Sequence, residues 1–353
     1  MTRSTDNPWL HRFAVLTALA TWVLIWIGGL VTSHGVGMSV PDWPTTYGYN
    51  MFFFPISKWV GGIFYEHTHR LVASGVGLLT VILFVWLALR EERRWLRRLG
   101  ALAVLAVVAQ GVLGGLRVTA LKDEIGIFHA TLAQLFLVMI CSIALFTSRW
   151  WIQSGDQGRA AAGVAGKGCL VISGLILLQL VIGAVMRHQH AGLAIPDFPT
   201  AYGKWWPDMD AEAVSRYNQM RGEVTAVNPI TAFQIGLQMV HRILGVIIVG
   251  AVVWAAIGVI RCFGGSSLPG RLSTLWLVTL LIQVTLGMAT IWTNKSADVA
   301  TAHVAVGALS LVMGVMLALM VWRLGPTWRT AKDFDGAGAR VGVPAPGEAR
   351  LLA

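Results

Sequence analysis

Eight long apolar segments follow one another along the 353-residue chain, each close to the roughly 20 residues that cross the hydrocarbon core of a bilayer. The pattern predicts eight membrane-spanning helices: Phe13 to Ser33, Ile63 to Leu89, Leu99 to Thr119, Ile125 to Phe146, Gly168 to Met186, Ile235 to Ile260, Leu275 to Thr293 and Thr301 to Trp322. Hydrophobic residues make up 56% of the chain and charged residues 12%, which excludes a water-soluble domain. The first segment is too long for a signal-peptide core and lacks a small-residue cleavage site, so we expect it to remain as a span.

Basic residues collect in alternate connections between these segments. Those on one side of the eight-span arrangement are Arg3, Arg12, Arg90, Arg93, Arg94, Arg97, Arg98, Arg149, Arg159, Lys167, Arg261, Arg271, Arg323, Arg329, Lys332, Arg340 and Arg350. The positive-inside rule predicts that this side, with both termini, is cytoplasmic and that the protein lies in the cell (inner) membrane. The net charge of +10 therefore reflects topology and does not indicate a nucleic-acid partner.

The second half of the chain repeats the first. The segment GGLVTSHGVGMSVPDWPTTYG, which begins at Gly28, matches GAVMRHQHAGLAIPDFPTAYG, which begins at Gly183. Farther on, EHTHRLVASG matches QMVHRILGVI, QGVLGGLRV matches QVTLGMATI, and FHATLAQL matches AHVAVGAL. Because each repeat holds an even number of spans, both insert in the same orientation. The fold predicted is an all-α integral membrane protein of two tandem, pseudo-symmetric four-helix bundles.

The repeat also predicts how the chain divides into parts. The first four-helix unit covers 13–147 and the second covers 168–323, joined by a cytoplasmic linker at 148–167. A cytoplasmic lead, 1–12, precedes them. The tail, 324–353, is rich in Gly, Ala and Pro, and we expect it to be disordered.

Four histidines are repeated in pairs: His69 and His129 in the first unit, His241 and His303 in the second. Each lies within about two turns of the outer end of its helix. An ionisable group inside a membrane helix is costly and by default faces a partner or a cofactor. Two histidines on different helices at similar depth can clamp a haem iron from both faces, whereas zinc normally takes three or four protein ligands. The neighbouring His67 points about 100° away from His69 and has no histidine counterpart.

Charged and amide side chains accompany these histidines. Arg70 directly follows His69, and Arg242 directly follows His241. Both arginines are candidates to pair with haem propionates. Glu66 lies one turn before His69 and is the only acid within the predicted spans, while the equivalent residue is Gln238. Glu66 is therefore a candidate catalytic residue, able to take a proton or to offset developing positive charge. The alternative is a structural glutamate bonded to an amide of the outer loop.

The chain resembles the haem A synthase family over nearly its whole length. The resemblance is carried by the Glu-x-x-His-Arg of Glu66 to Arg70, the Gln-x-x-His-Arg of Gln238 to Arg242, and the histidines at 129 and 303. The resemblance implies oxidation of the C8 methyl group of haem O to a formyl group, giving haem A for terminal oxidases. It implies that the second-unit histidines hold a haem b cofactor and that the first-unit histidines ligate the substrate, haem O. It also implies haem O synthase and an unidentified electron donor as partners. Many bacterial members carry a cysteine pair in the first outer loop, and this chain has none there.

Two other classes of function fit the histidine pairs. One is a diheme, cytochrome b-type electron-transfer protein, and the other is a membrane haem carrier. The difference between glutamate and glutamine at the repeated position favours an enzyme over both. Homo-oligomerisation is left open by the sequence.

Overall fold

The computed structural model describes residues 6–122, 124–155, 161–221 and 229–325. In these ranges the chain forms ten α-helices: α1 (Pro8–Ser33), α2 (Gly61–Arg90), α3 (Arg94–Thr119), α4 (Glu124–Phe146), α5 (Arg149–Gln153), α6 (Ala161–His188), α7 (Ala211–Met220), α8 (Ala232–Phe263), α9 (Leu268–Trp292) and α10 (Ala297–Leu324). Eight of them are long and apolar enough to cross a membrane. The prediction of an all-α protein with eight spans is confirmed. The tail predicted to be disordered lies, from 326 onward, outside the described residues.

The helices begin up to seven residues before the predicted spans and end within a few residues of them, and local capping explains two of the starts. Helix α1 begins five residues early, at Pro8, because the Asn7 side chain accepts a hydrogen bond from the Leu10 amide at 3.1 Å. Helix α8 begins at a capping box in which Thr231 and Gln234 bond each other's backbone amides. The short helices α5 and α7, in the linker and the second outer loop, were not predicted.

Contacts divide the eight spans into two sets of four. In the first set α1, α2, α3 and α4 each pack against two of the others, and in the second set α6, α8, α9 and α10 do the same. The sets meet through α1, α4, α6 and α10. Helix α10 is accordingly the most enclosed span, since 56% of its most apolar 18-residue stretch is buried. The same fraction is 17% for α3 and for α9, which are the spans left to face lipid. The pseudo-symmetry of the sets and the proposed unit boundaries stay predictions.

Small residues allow the spans to approach closely, as expected where lipid removes the hydrophobic driving force between helices. A Cβ atom at Gly314 of α10 would come within 2.8 Å of the Trp276 ring. That ring is fully buried, and its Nε1 donates to the Ser310 hydroxyl at 3.0 Å. Between the sets, Trp22 Nε1 donates to the Ala305 carbonyl at 3.0 Å.

The first outer connection contains a tight loop, residues 39–49, which we call the first PD loop. The Asp42 carboxylate accepts hydrogen bonds from the Tyr47 amide (2.7 Å), the Gly48 amide (2.9 Å) and the Thr45 hydroxyl (2.5 Å). Burial would raise the pKa of Asp42, but these bonds to the charged form outweigh it and hold the pKa below its ordinary 3.8. The carboxylate is therefore the centre of the loop.

The second outer connection builds the same loop, residues 194–204, which we call the second PD loop. Asp197 accepts from the Tyr202 amide (2.7 Å), the Gly203 amide (3.0 Å) and the Thr200 hydroxyl (2.6 Å). Its pKa is likewise lowered, because the same kinds of bond outweigh burial. The repeated sequence thus produces a repeated local structure at the outer end of each set.

Each PD loop is closed by a tyrosine. The Tyr47 hydroxyl donates to the Ser39 carbonyl, and the Tyr202 hydroxyl donates to the Ala194 carbonyl, both at 2.5 Å. Both tyrosines have positive φ, and each loop contains a cis proline, at Pro44 and Pro199. The loops are bonded to the N-terminal parts of α2 and α8, which carry His69 and His241.

Candidate functional site

The four repeated histidines lie on α2, α4, α8 and α10, and each ring packs against a glycine of a neighbouring helix. A Cβ atom on that glycine would stand close to the ring's Cε1: 3.0 Å for Gly28 and His69, 3.4 Å for Gly114 and His129, 3.5 Å for Gly183 and His241, and 3.1 Å for Gly287 and His303. Only a hydrogen leaves full room for the imidazole at the tighter positions. The four glycines occupy matching places in the two repeats, so the sequence provides space for all four rings.

The second-unit pair has a spacing that suits a metal held between two imidazoles. The ring centroids of His241 and His303 lie 6.4 Å apart with an interplanar angle of 63°. When one metal ion is bound between two imidazoles, the distance between the ring centroids is the sum of two metal–nitrogen bonds of about 2 Å and the distance from each nitrogen to its ring centre. This sum is roughly 6 Å. The observed separation is therefore compatible with bis-histidine ligation of one iron.

A hydrogen bond also orients one ring of this pair. His303 Nδ1 lies 3.1 Å from the Gln283 carbonyl oxygen. Because a carbonyl can only accept, Nδ1 carries the proton and Nε2 keeps its lone pair for a metal. Metal-binding histidines are commonly held in this way through their second nitrogen.

The first-unit pair is held less firmly. His129 approaches the backbone of Gln110, the counterpart of Gln283, but its Nδ1 makes no hydrogen bond of good geometry among the described residues. Nδ1 of His69 and Nδ1 of His241 are also buried without a partner there. With one ring fixed in the second unit and neither ring firmly fixed in the first, the first pair is the less constrained of the two.

The repeated histidines lie in pairs and not in larger clusters of metal ligands. Within the described ranges, no three His, Cys, Asp or Glu side chains gather into a group that could hold a metal ion. Each pair can supply two axial ligands, and a planar macrocycle would supply the rest. The donor set therefore fits a haem.

Glu66 is buried and bonded to the first PD loop. One carboxylate oxygen accepts from the Val40 amide at 2.9 Å, and the other pairs with Arg70 at 2.8 Å. Gln238 holds the second PD loop in the same way, accepting from the Ile195 amide at 2.7 Å and donating to its carbonyl at 3.3 Å. Glutamate and glutamine thus serve the same anchoring role, which is the structural alternative raised by the sequence.

Arg70 continues this anchor into the first PD loop. Its guanidinium donates to the carbonyls of Val40 (2.7 Å), Asp42 (2.7 Å) and Thr45 (3.1 Å), besides pairing with Glu66. These bonds occupy most of its five N–H donors. The buried Glu66–Arg70 pair is electrically neutral.

Arg242 makes fewer bonds in the second unit. It donates to the carbonyls of Thr200 (2.9 Å) and Asp197 (2.6 Å) and lies 5.4 Å from the centre of the Phe198 ring. The residue one helical turn before it, Gln238, is an uncharged amide, so no glutamate of the described residues pairs with Arg242. Arg242 therefore keeps more spare N–H donors than Arg70 does.

His67 is a residue whose role the sequence did not predict. Its side chain is fully buried under the first outer connection, with Nδ1 3.1 Å from the Thr46 hydroxyl and its ring against Phe54 and Trp59. The corresponding Met239 lies in an apolar cluster beneath the second loop. His67 therefore packs beneath the loop and stabilises it. In the sequence, only the lack of a histidine at the matching position indicated that His67 differs from the four repeated histidines.

The two sets also touch close to the histidines. The Ser33 and Thr301 hydroxyls lie 2.9 Å apart, and Arg187 donates to the Gly29 carbonyl at 2.7 Å and to the Ser33 hydroxyl. A Cβ atom on Gly29 would come within 2.9 Å of the Thr301 methyl group. Thr301 lies two residues before His303, so the contact between α1 and α10 joins the two histidine regions.

Comparison with known proteins agrees with this architecture. The chain matches the family described as cytochrome oxidase assembly protein, COX15-CtaA, over residues 11–315. Proteins named haem A synthase are similar along nearly their whole length: that of Shouchella clausii is 26% identical, covering 89% of this chain and 97% of the relative. Those of Shewanella oneidensis (24% identical, 89% and 96% covered) and Geobacillus kaustophilus (24%, 92% and 95%) are similar to the same extent. The chain therefore belongs to the COX15-CtaA family of cytochrome oxidase assembly proteins.

Proposed function

We propose that this chain is a haem A synthase, an oxidoreductase that converts haem O into haem A by oxidising the C8 methyl group to a formyl group. Family membership and full-length similarity to proteins of that name support the proposal. The observation that carries it is the second-unit histidine pair, whose rings lie 6.4 Å apart inside the membrane. The two pairs would give one site for a resident cofactor and one for the substrate.

His241 and His303 would hold a resident haem b in the second unit. The hydrogen bond from His303 to Gln283 supports this assignment, because a permanent cofactor benefits from a ligand already oriented to bind it. Arg242, with spare donors, would pair with a propionate, as the sequence suggests. When bound, the haem supplies redox chemistry that no side chain can.

His69 and His129 would bind haem O in the first unit. Theirs is the pair in which neither Nδ1 makes a hydrogen bond of good geometry among the described residues, and this supports a site that is open to exchange. Arg70 has only about one N–H left for a propionate, because the first PD loop uses the others. We therefore propose a weaker role for Arg70 than for Arg242 in binding propionates.

Glu66 would act in the reaction as well as in the fold. Its two oxygens offer about four lone-pair sites, and the observed partners use two. The remaining sites could accept a proton released from the substrate methyl or orient a water. Gln238 supports this proposal, since an amide suffices to hold the second PD loop and the carboxylate is therefore not needed for anchoring alone.

Haem extraction tests the function directly. The purified protein, expressed in cells that make haem O, should yield haem O or haem A together with haem b. A diheme electron-transfer protein or a haem carrier would yield haem b without haem A, and that result would contradict the proposal.

The protein is a multi-pass membrane protein, and we propose that it lies in the inner membrane with both termini cytoplasmic and the haem sites toward the outer side. The basic connections support this orientation. A reporter fused after Ala353 should be active in the cytoplasm, and one inserted near Met209 should report the outer side. The reverse pattern would refute the orientation.

The proposed partners follow from the chemistry of the substrate. Haem O is poorly soluble, so direct transfer from haem O synthase is the simplest route. Oxidation of the methyl group removes electrons from the substrate, and hydroxylation by dioxygen would also require an electron donor to reduce the dioxygen. Co-purification of haem O synthase from membranes would support the first partnership. Homo-oligomerisation is open, and the mass of the purified complex would decide it.

A further inference from the structure

An open surface cavity of about 330 Å³ lies where α2 ends and α3 begins, far from the histidine pairs. Six residues line it: Phe84, Ala88, Arg94, Arg97, Arg98 and Ala101. Half of this lining is cationic and half is apolar. None of these residues has a role in the proposed reaction.

The lining follows from the helical period. Arg94, Arg97, Arg98 and Ala101 are spaced i, i+3, i+4 and i+7, so they share one face of α3. Phe84 and the residue one turn after it, Ala88, share a face of α2. Because a helix rises about 1.5 Å per residue, the apolar end of the cavity reaches roughly 10 Å into the membrane-spanning segments.

The neighbouring turn is held rigidly and pairs Glu91, while the exposed Glu92 beside it makes no ion pair among the described residues. Glu91 pairs with Arg93 at 2.8 Å, and Arg93 also donates to the Phe146 carbonyl at 3.0 Å. A Cβ atom on Gly100 would come within 2.9 Å of Leu87, so a glycine permits the close packing of α2 on α3 beside the cavity. The cavity therefore lies between helices that are locked together.

The three arginines of the cavity, by contrast, are not neutralised. Among the described residues, no ion pair or side-chain hydrogen bond involves Arg94, Arg97 or Arg98. Three guanidinium groups, each with five N–H donors, thus line one cavity, and none of them is paired with an acid of the described residues. Such a group suits a phosphate, which arginine can bind through two parallel hydrogen bonds.

We infer that this cavity binds an anionic phospholipid, with the headgroup phosphate on the three arginines and the start of an acyl chain against Phe84, Ala88 and Ala101. A free phosphate would leave the apolar half unused, and a soluble protein could not reach its depth within the span. Basic pockets between helices on the cytoplasmic side of membrane proteins are suited to such headgroups. The inference does not depend on the proposed function.

The test uses the full-length protein, purified in detergent, stripped of lipid and titrated with phosphatidylglycerol, with phosphatidylcholine as the neutral probe. Bound lipid is counted by native mass spectrometry. A basic residue near a membrane surface gives about a fivefold preference for anionic lipid. We therefore expect the variant Arg94→Gln/Arg97→Gln/Arg98→Gln to bind phosphatidylglycerol roughly 10- to 100-fold more weakly than the parent.

Two further variants separate a shaped site from general charge. Ala101→Leu keeps every charge but fills the apolar half of the cavity. This variant should also bind phosphatidylglycerol more weakly than the parent. Arg261→Gln/Arg271→Gln removes two arginines from the matching turn between α8 and α9 and should leave the binding unchanged. If the triple variant does not fold, Ala101→Leu still decides the question.

Three results would overturn the inference. One is parent-like binding of phosphatidylglycerol by Ala101→Leu, and another is an equal loss in Arg261→Gln/Arg271→Gln, since either would mean attraction by charge alone. The third is displacement of the lipid by millimolar inorganic phosphate, which would mean that the arginines hold a free anion and that the acyl chain contributes nothing.

Discussion

The two PD loops are nearly the same structure, yet they are attached to the membrane helices by chemically different groups. In the first unit the buried Glu66–Arg70 ion pair holds the loop, and in the second unit the neutral Gln238 does so, with Arg242 bonded separately. The difference teaches that a carboxylate is not required to hold such a loop. In the first unit the Glu66 carboxylate also neutralises the buried Arg70, and a chemical role for it beyond this pairing is our proposal.

The histidine pairs differ in a parallel way. His303 is oriented by a well-formed bond to the Gln283 carbonyl, whereas His129 only approaches the matching backbone of Gln110, and neither first-unit histidine has an Nδ1 bond of good geometry among the described residues. A fixed ligand suits a group that stays, and an unconstrained ligand suits a group that enters and leaves. The comparison thus supports a resident haem in the second unit and a substrate haem in the first.

The largest expected effect comes from removing the second-unit ligands. His241→Ala or His303→Ala should abolish the stably bound haem b and all activity, because one iron ligand is lost. His69→Ala or His129→Ala, the matched controls, should spare most haem b and block the conversion of haem O. Absorption spectra and extracted haems measure both.

A wild-type low-spin spectrum in both second-unit variants would refute the assignment. Loss of haem b in all four variants alike would remove the distinction between the units.

The next largest effect is expected for Glu66→Gln. The variant makes the first anchor resemble the second, so it should fold and keep its haem b. If the carboxylate takes a proton, conversion of haem O should fall by about 10² to 10⁴. The rate is measured as haem A formed per bound haem b.

Gln238→Glu is the reciprocal control, and it should not increase activity, because the second unit would hold the cofactor. Near-normal conversion by Glu66→Gln would leave Glu66 as a loop anchor only.

A smaller effect is expected from adding a methyl group beside one ligand. In Gly287→Ala the new Cβ would stand 3.1 Å from His303, so the ring must move by a few tenths of an ångström. Gly183→Ala has 3.5 Å to His241 and should be tolerated. The haem b spectrum should shift, or occupancy should fall, in the first variant and not in the second, and equal spectra would contradict the fit.

The smallest effect concerns the PD loops themselves. Because the folded-state pKa of Asp42 and Asp197 is lowered, their stabilisation is present above the unfolded-state value near 3.8 and is lost as pH falls through the folded-state value. Asp42→Asn should cost about 1.5–3 kcal/mol at neutral pH, the range for hydrogen bonds to a charged group.

Thermal unfolding of Asp42→Asn, compared with the parent between neutral pH and pH 3, measures this cost. The difference should shrink toward acid pH, and a difference that is constant with pH would contradict the role of the charge. Asp197→Asn should behave alike, because the two loops share the same bonds.

The sequence alone determined the spans, the repeat and the four histidines. Twenty-residue apolar runs have one stable state in a bilayer, since only a helix satisfies its own backbone hydrogen bonds there. A repeat can be recognised without coordinates, and polar residues inside apolar segments stand out by composition. These features are local, or are compared along the chain, so no contact in space is needed to find them.

Only the tertiary structure decided what those residues touch. Glu66 meets Val40, and Arg187 of the second set meets Ser33 of the first, 154 positions away. His67, one of two histidines in a single helical turn, is buried under a loop, whereas its neighbour His69 packs against Gly28 of another helix. Such partners depend on how separate helices and loops pack together, and hydrophobic periodicity carries no information about which polar atoms will then meet.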